Sequence, residues 1–140
     1  MIGFTGTRRG MTGDQAATVA RILRRLYKGG HQEFHHGGEP HSDAQAAELA
    51  EIIGYKVVVH PGGNAKQNIK RNHEIVDVSR VMIAAPFGDS EVLRSGTWAT
   101  IRYANGHLNY AYPPGGPRPM LVVWPDGSYD AHNWYGYPKI

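Results

Sequence analysis

Met1-Ile2-Gly3-Phe4-Thr5-Gly6-Thr7-Arg8 is the stretch that decides the fold. The apolar run Met1-Ile2-Gly3-Phe4 starts a short strand, residues 2–7, that leads into a turn made of glycine, hydroxyl groups and arginine. A helix signal follows at once. Thr12-Gly13-Asp14-Gln15 has the spacing of a capping box, and Ala16, Val19, Ala20, Leu23, Leu26 and Tyr27 then recur at helical intervals as far as Gly29-Gly30.

The same strand–turn–helix unit recurs along the chain. Glu33-Phe34-His35-His36 reads as a second strand, stopped by Gly37-Gly38. Ser42-Asp43-Ala44-Gln45 repeats the capping-box spacing ahead of a helix marked by Ala46, Leu49, Ala50 and Ile53, with Gly54 as its C-terminal cap. Lys56-Val57-Val58-Val59-His60 is a third strand, broken by Pro61-Gly62-Gly63, and a third helix is expected from about Ala65 to Val78. Val81-Met82-Ile83-Ala84-Ala85 is the fourth strand. Arg94-Ser95-Gly96-Thr97 then opens a helical pattern through Ala104, and Met120-Leu121-Val122-Val123-Trp124 is the fifth strand.

Strands that alternate with helices, and that are apolar throughout, belong to a parallel sheet covered on both faces. The expected fold is therefore α/β: a Rossmann-like three-layer sandwich around a five-stranded, mainly parallel sheet of order 3-2-1-4-5. Residues 1–125 make up this domain. Residues 106–119, rich in Gly, Pro and Tyr, read as an irregular loop. Residues 126–140 read as a C-terminal tail, with Tyr129, Trp134, Tyr135 and Tyr137 but no periodicity, after a turn at Pro125-Asp126-Gly127.

In this strand order the first and fourth strands are neighbours and the chain reverses direction between them. Ligands of open α/β sheets bind at that switch point, outside the carboxyl ends of the strands. The turns at residues 5–8 and 94–97 follow those two strands, so the topology predicts that they meet in one cleft. Small residues let a backbone approach a ligand closely, a helix start favours an anion, and arginine offers a fixed fork to phosphate. Neither turn carries the dinucleotide fingerprint, the phosphate-loop ending or the hydrolase elbow. Asp43, at the start of the second helix, is placed either to cap it or to face the cleft. Arg71 and Asn72 lie either on a solvated face or at the cleft's side.

Composition narrows the chemistry. The chain has 140 residues, a formal charge of +3 and no cysteine, which excludes thiolate nucleophiles, disulfides and cysteine-based metal sites. His35-His36, with His41 and His60, looks like a metal cluster, but adjacent histidines on a strand point to opposite faces. No metal or cofactor is expected. Arg8, Arg9, Arg21, Arg24, Arg25 and Lys28 supply much of the positive charge; the last four read as the solvated face of an amphipathic helix. No apolar run approaches the roughly 18 residues of a membrane span. A soluble, cytoplasmic protein is the expectation.

Gly3-Phe4-Thr5-Gly6-Thr7-Arg8, His36-Gly37-Gly38 through Ser42-Asp43, Arg71-Asn72 and Arg94-Ser95-Gly96-Thr97 together resemble the SLOG superfamily, which includes the Rossmann-like domains of DNA-processing protein A and of the Lonely Guy hydrolases. The chain looks most like the small bacterial and phage members, over residues 1 to about 125. The resemblance implies a nucleotide-derived ligand held by Gly6, Thr7 and Arg8, by Gly37, Gly38 and Asp43, by Arg71 and Asn72, and by Arg94, Ser95, Gly96 and Thr97. It also implies self-association as a dimer or larger homo-oligomer; the Tyr and Trp residues of the loop and tail are placed either to stack on a base or, ahead of that, to form the subunit contact. One departure matters. Where the Lonely Guy hydrolases carry a catalytic glutamate this chain has Thr100, so binding of a nucleotide for sensing or sequestration is expected ahead of catalysis. The second reading is an N-glycosidic hydrolase or transferase with Asp43 as its carboxylate. The third is a nucleic-acid-binding module.

Overall fold

Every residue of Val81–Ala85 and of Met120–Val123 is buried. Strands of that kind need cover on both faces. The computed structural model, which describes residues 1–107 and 111–140, supplies it. Strands β1 (Ile2–Gly6), β2 (Glu33–His36), β3 (Lys56–Val59), β4 (Val81–Ala85), β5 (Met120–Val123) and β6 (Tyr129–His132) form one sheet of order β3-β2-β1-β4-β5-β6. All neighbours are parallel except β5 and β6.

Helices α1 (Gly13–Lys28) and α2 (Ser42–Ile53) cover one face, and α3 (Ala65–Val78) and α4 (Gly96–Ala104) the other. The strand pleat divides the apolar residues between them. Ile2, Phe4, Val81, Ile83, Leu121 and Val123 pack with Val19, Leu23 and Leu26 of α1 and Ala46 and Ala50 of α2. Met82, Ala84, Met120 and Val122 pack with Ile75 and Val76 of α3 and Trp98 and Ile101 of α4. The result is the Rossmann-like three-layer sandwich, with β1 and β4 at its centre.

Among the described residues the sheet has six strands, not the five expected. The turn Pro125-Asp126-Gly127 carries the chain back as a hairpin, with Gly127 at φ 87° and a bond from the Trp124 N–H to the Ser128 carbonyl at 2.8 Å. The strand was hard to read because Asp130 and Ala131 are exposed, so an edge strand of four residues shows no apolar rhythm. Beyond it Trp134, Tyr137 and Ile140 are half-buried against the α1–α2 core.

Helix starts follow local chemistry, with one exception. Thr12 and Gln15 form the expected capping box of α1, and Asn64 and Gln67 form another at α3. At α2 the box does not form. The N-cap is His41, at φ 71°, and makes no side-chain cap. Ser42 instead donates to the Thr7 carbonyl, and Gln45 Oε1 accepts the Met11 N–H at 2.8 Å. Both side chains tie the start of α2 to the loop after β1.

Buried Arg118 anchors the described part of the 106–119 loop, donating to the carbonyls of Ser79 (2.9 Å), Val76 (3.2 Å) and Pro114 (2.6 Å). Residues 108–110 of that loop lie outside the described residues. Among the described residues no helix is long and apolar enough to cross a membrane.

Candidate functional site

The parallel register of β1 and β4 pairs Gly6 with Ala85, so the two chains leave the sheet side by side. Between the loops that follow lies a cleft of about 520 Å³, well within the size range of small-molecule sites. Gly6, Thr7, Arg8, Gly37, Asp43, Arg71, Asn72, Arg94, Ser95, Gly96 and Thr97 all line it. Gly38 does not; it turns outward and is exposed.

The first wall is a closed turn. The Thr7 N–H bonds the Ala85 carbonyl at 3.0 Å, the Arg9 N–H reaches Thr7 Oγ1 at 3.2 Å, and the Thr7 carbonyl accepts from Gly10 and from the Ser42 hydroxyl. A Cβ on Gly6 would lie 2.7 Å from Ser42 Cβ and 2.8 Å from the Phe4 ring. Only glycine lets the end of β1 and the start of α2 come this close.

The second wall is the start of α4. Ser95 caps it, its Oγ accepting the Trp98 N–H at 3.3 Å. The N–H groups of Gly96 and Thr97 sit in the first turn, where no intrahelical acceptor exists. Arg94 is exposed beside them and enters none of the ion pairs found among the described residues. A helix start with two hydroxyls and a cation at its side favours an anion. Thr100, one turn on, is buried and donates to the Gly96 carbonyl at 2.9 Å, so its hydroxyl serves the helix.

The side of the cleft is built from two carboxylates and a buried arginine. Asp43 Oδ2 accepts the N–H groups of Gly37 (3.0 Å) and Glu39 (3.1 Å), which fixes the loop after β2. Asp43 is 3 % exposed, yet it lines the cleft. Arg71 reaches the same loop from α3. It donates to the Gly37 and His60 carbonyls, to Asn72 Oδ1 at 2.7 Å and to Glu39 Oε1 at 2.9 Å. Gly37 makes room for it, since a Cβ there would lie 2.6 Å from the Arg71 guanidinium carbon. Arg71 thus holds the loop and the Glu39 side chain.

Glu39 is the residue that sequence reasoning missed. Its Oε2 faces Arg8 Nε at 3.3 Å while Oε1 faces Arg71, so one carboxylate bridges an exposed and a buried arginine. Set between Gly38 and Pro40, it reads as a turn residue, and only the position of Arg71 across the fold gives it a role. The apolar lining was also unread. Ile69, Phe87 and Val92 border the cleft at 58, 55 and 47 % exposure, and Arg9 stacks over the Phe87 ring at 4.3 Å.

The histidines serve the frame. His36 Nδ1 accepts the Gly38 N–H at 3.0 Å, while His35 points to the other face and shares a hydrogen bond with His60 at 2.8 Å and one with Glu33 at 3.0 Å. Burial, with the neighbouring His35, holds the His60 pKa below its ordinary value. Among the described residues no three His, Cys, Asp or Glu side chains gather as a metal site. The basic side chains of α1 are exposed, and Arg25 and Lys28 occupy its last turn, at the end of the helix away from the cleft. None of the described aromatic residues after position 110 lines the cleft; Trp134 and Tyr137 pack on each other at 4.9 Å. Compared with protein-family models, with curated proteins and with solved structures, the chain finds no match in any of the three.

Proposed function

We propose that this protein is a SLOG-type binding module that recognises a nucleotide or nucleotide-derived small molecule for sensing or sequestration. The observation that carries the reading is the convergence of the Thr5–Arg8 and Arg94–Thr97 turns on one cleft at the switch point of the sheet. The anionic group sits at the start of α4, on the Gly96 and Thr97 N–H groups, the Ser95 and Thr97 hydroxyls and Arg94. The base lies against Ile69, Phe87 and Val92, the exposed apolar part of the lining.

Binding without turnover is favoured by what the carboxylates already do. An oxocarbenium-like centre needs a carboxylate free to face it. Asp43 Oδ2 is held by two backbone N–H groups, and two arginines offset the charge with which Glu39 would stabilise such a centre, while leaving it able to accept from a neutral hydroxyl. Calorimetry with nucleoside mono- and diphosphates, cyclic nucleotides and ADP-ribose tests the reading. At least one of them binds, and Arg94→Ala weakens it by roughly ten-fold or more, the worth of one charge-assisted hydrogen bond. If none binds the wild-type protein, the reading is wrong.

A further inference from the structure

We propose that Glu39 is the specificity-determining acceptor for a ribose hydroxyl, so that the cleft takes a ribonucleotide in one orientation and discriminates against its 2′-deoxy counterpart. The inference rests on the nucleotide-binding reading and adds to it a sugar class and a direction.

Arg8, Arg71 and Arg94 line the cleft with Glu39 and Asp43, but the signs are not mixed evenly. Both carboxylates lie at the end of β2, Asp43 beneath the loop and Glu39 on it. Arg71 is buried and already paired to Glu39, and Arg8 is paired to the same carboxylate. That side is therefore close to neutral and presents acceptors. The α4 side presents Arg94, two hydroxyls and unpaired helix N–H groups, and holds no carboxylate among the cleft-lining residues. A phosphate is drawn to the second side, where the cation and the helix N–H groups have no carboxylate beside them. A hydroxyl donor is suited to the first.

Glu39 is built to accept. Each carboxylate oxygen has two lone-pair sites, and one arginine on each leaves the other site open. The two ion pairs also fix the carboxylate before any ligand arrives, so little ordering is needed on binding. In dinucleotide-binding sheets the ribose 2′-hydroxyl is held by an acidic side chain roughly 20 residues beyond the glycine turn. Here the chain supplies one from the loop after β2.

The probes are the four ribonucleoside 5′-monophosphates, their 2′-deoxy counterparts and inorganic phosphate, titrated into the wild type, Glu39→Gln, Glu39→Ala and Arg94→Ala, with circular dichroism to confirm that each variant is folded. In the wild type the ribonucleotide binds roughly ten-fold tighter than its 2′-deoxy form, the worth of one hydrogen bond to a charged acceptor. Glu39→Ala brings that ratio close to one and does not weaken inorganic phosphate, because the buried Arg71 is then unshielded; Glu39→Gln, which keeps the shape and one acceptor, lowers the ratio part of the way. Arg94→Ala weakens ribo- and deoxy-forms alike and leaves the ratio unchanged. Equal affinity for the two sugars in the wild type, or a ratio that survives Glu39→Ala, overturns the assignment while nucleotide binding itself stands. Binding of phosphate but of no nucleotide overturns the sugar assignment too. Binding of neither overturns the sugar assignment, and the nucleotide reading falls with it only if diphosphates, cyclic nucleotides and ADP-ribose also fail to bind.

Discussion

Asp43→Ala should cost this fold stability in a way that a catalytic residue would not. The Asp43 side chain is almost fully buried, and its Oδ2 is the acceptor for the N–H groups of Gly37 and Glu39 at 3.0 and 3.1 Å. Each is a hydrogen bond to an ionised acceptor, worth about 1.5–3 kcal/mol, and truncation leaves both donors without a partner. Water can enter from the cleft, which Asp43 lines, so the lower end of the sum applies: about 3–4 kcal/mol. Asp43→Asn keeps an oxygen in place and loses only the charge, so it costs about 1–2 kcal/mol. Urea unfolding followed by circular dichroism measures both, with an unchanged slope showing that the native state has not expanded. A loss below about 1 kcal/mol for Asp43→Ala, or equal losses for the two variants, would refute the view that this carboxylate exists to hold the loop.

Three further outcomes are expected. Gly6→Ala places a methyl group against Ser42 and the Phe4 ring, costs about 1–3 kcal/mol by overpacking, and weakens nucleotide binding because the β1 turn must shift; unchanged melting and binding would count against the tight first wall. Burial lowers the pKa values of His31, His60 and His73, so the folded state prefers them neutral. The unfolded chain takes up protons at the ordinary value of 6.5, so their contribution is complete above that value and is lost as pH falls through it. His60 faces His35, His36, Glu74 and Arg71, and its hydrogen bond to His35 cannot survive protonation of both rings. Stability should therefore fall from about pH 7 to about pH 5, and His60→Gln should flatten that slope; an identical slope in the variant contradicts the assignment. Incubation with nucleoside monophosphates should release no free base above a protein-free control, as judged by chromatography. Release that depends on Glu39 would make the protein an N-glycosidase.

Most of the fold was legible because its central strands are buried on both faces. Val81–Ala85 and Met120–Val123 are apolar at every position, and that pattern selects a parallel sheet and its crossovers. The strand order then brought Thr5–Arg8 and Arg94–Thr97 to one place without any knowledge of contacts. What escaped the sequence has specific causes. Strand β6 is a short edge with two exposed positions, so it shows no apolar rhythm. The Ser42–Gln45 capping box failed because Ser42 and Gln45 found partners at Thr7 and Met11, residues more than thirty positions away. Glu39 gains its role from Arg71, which lies 32 residues on and reaches it only once α3 has packed over the sheet. Asp43 could be read as facing the cleft or as capping α2; it lines the cleft, and its side chain holds the loop after β2 instead of the helix start.

Backbone amide shifts in a two-dimensional ¹⁵N–¹H NMR titration with a ribonucleoside 5′-monophosphate report on both turns of the cleft at once. Thr7 and Arg8 should shift together with Gly96 and Thr97, along one saturation curve, while the amides of Arg24, Arg25 and Lys28 at the far end of α1 stay in place. Shifts confined to one of the two turns, or centred on the basic face of α1, would contradict a single cleft walled by both.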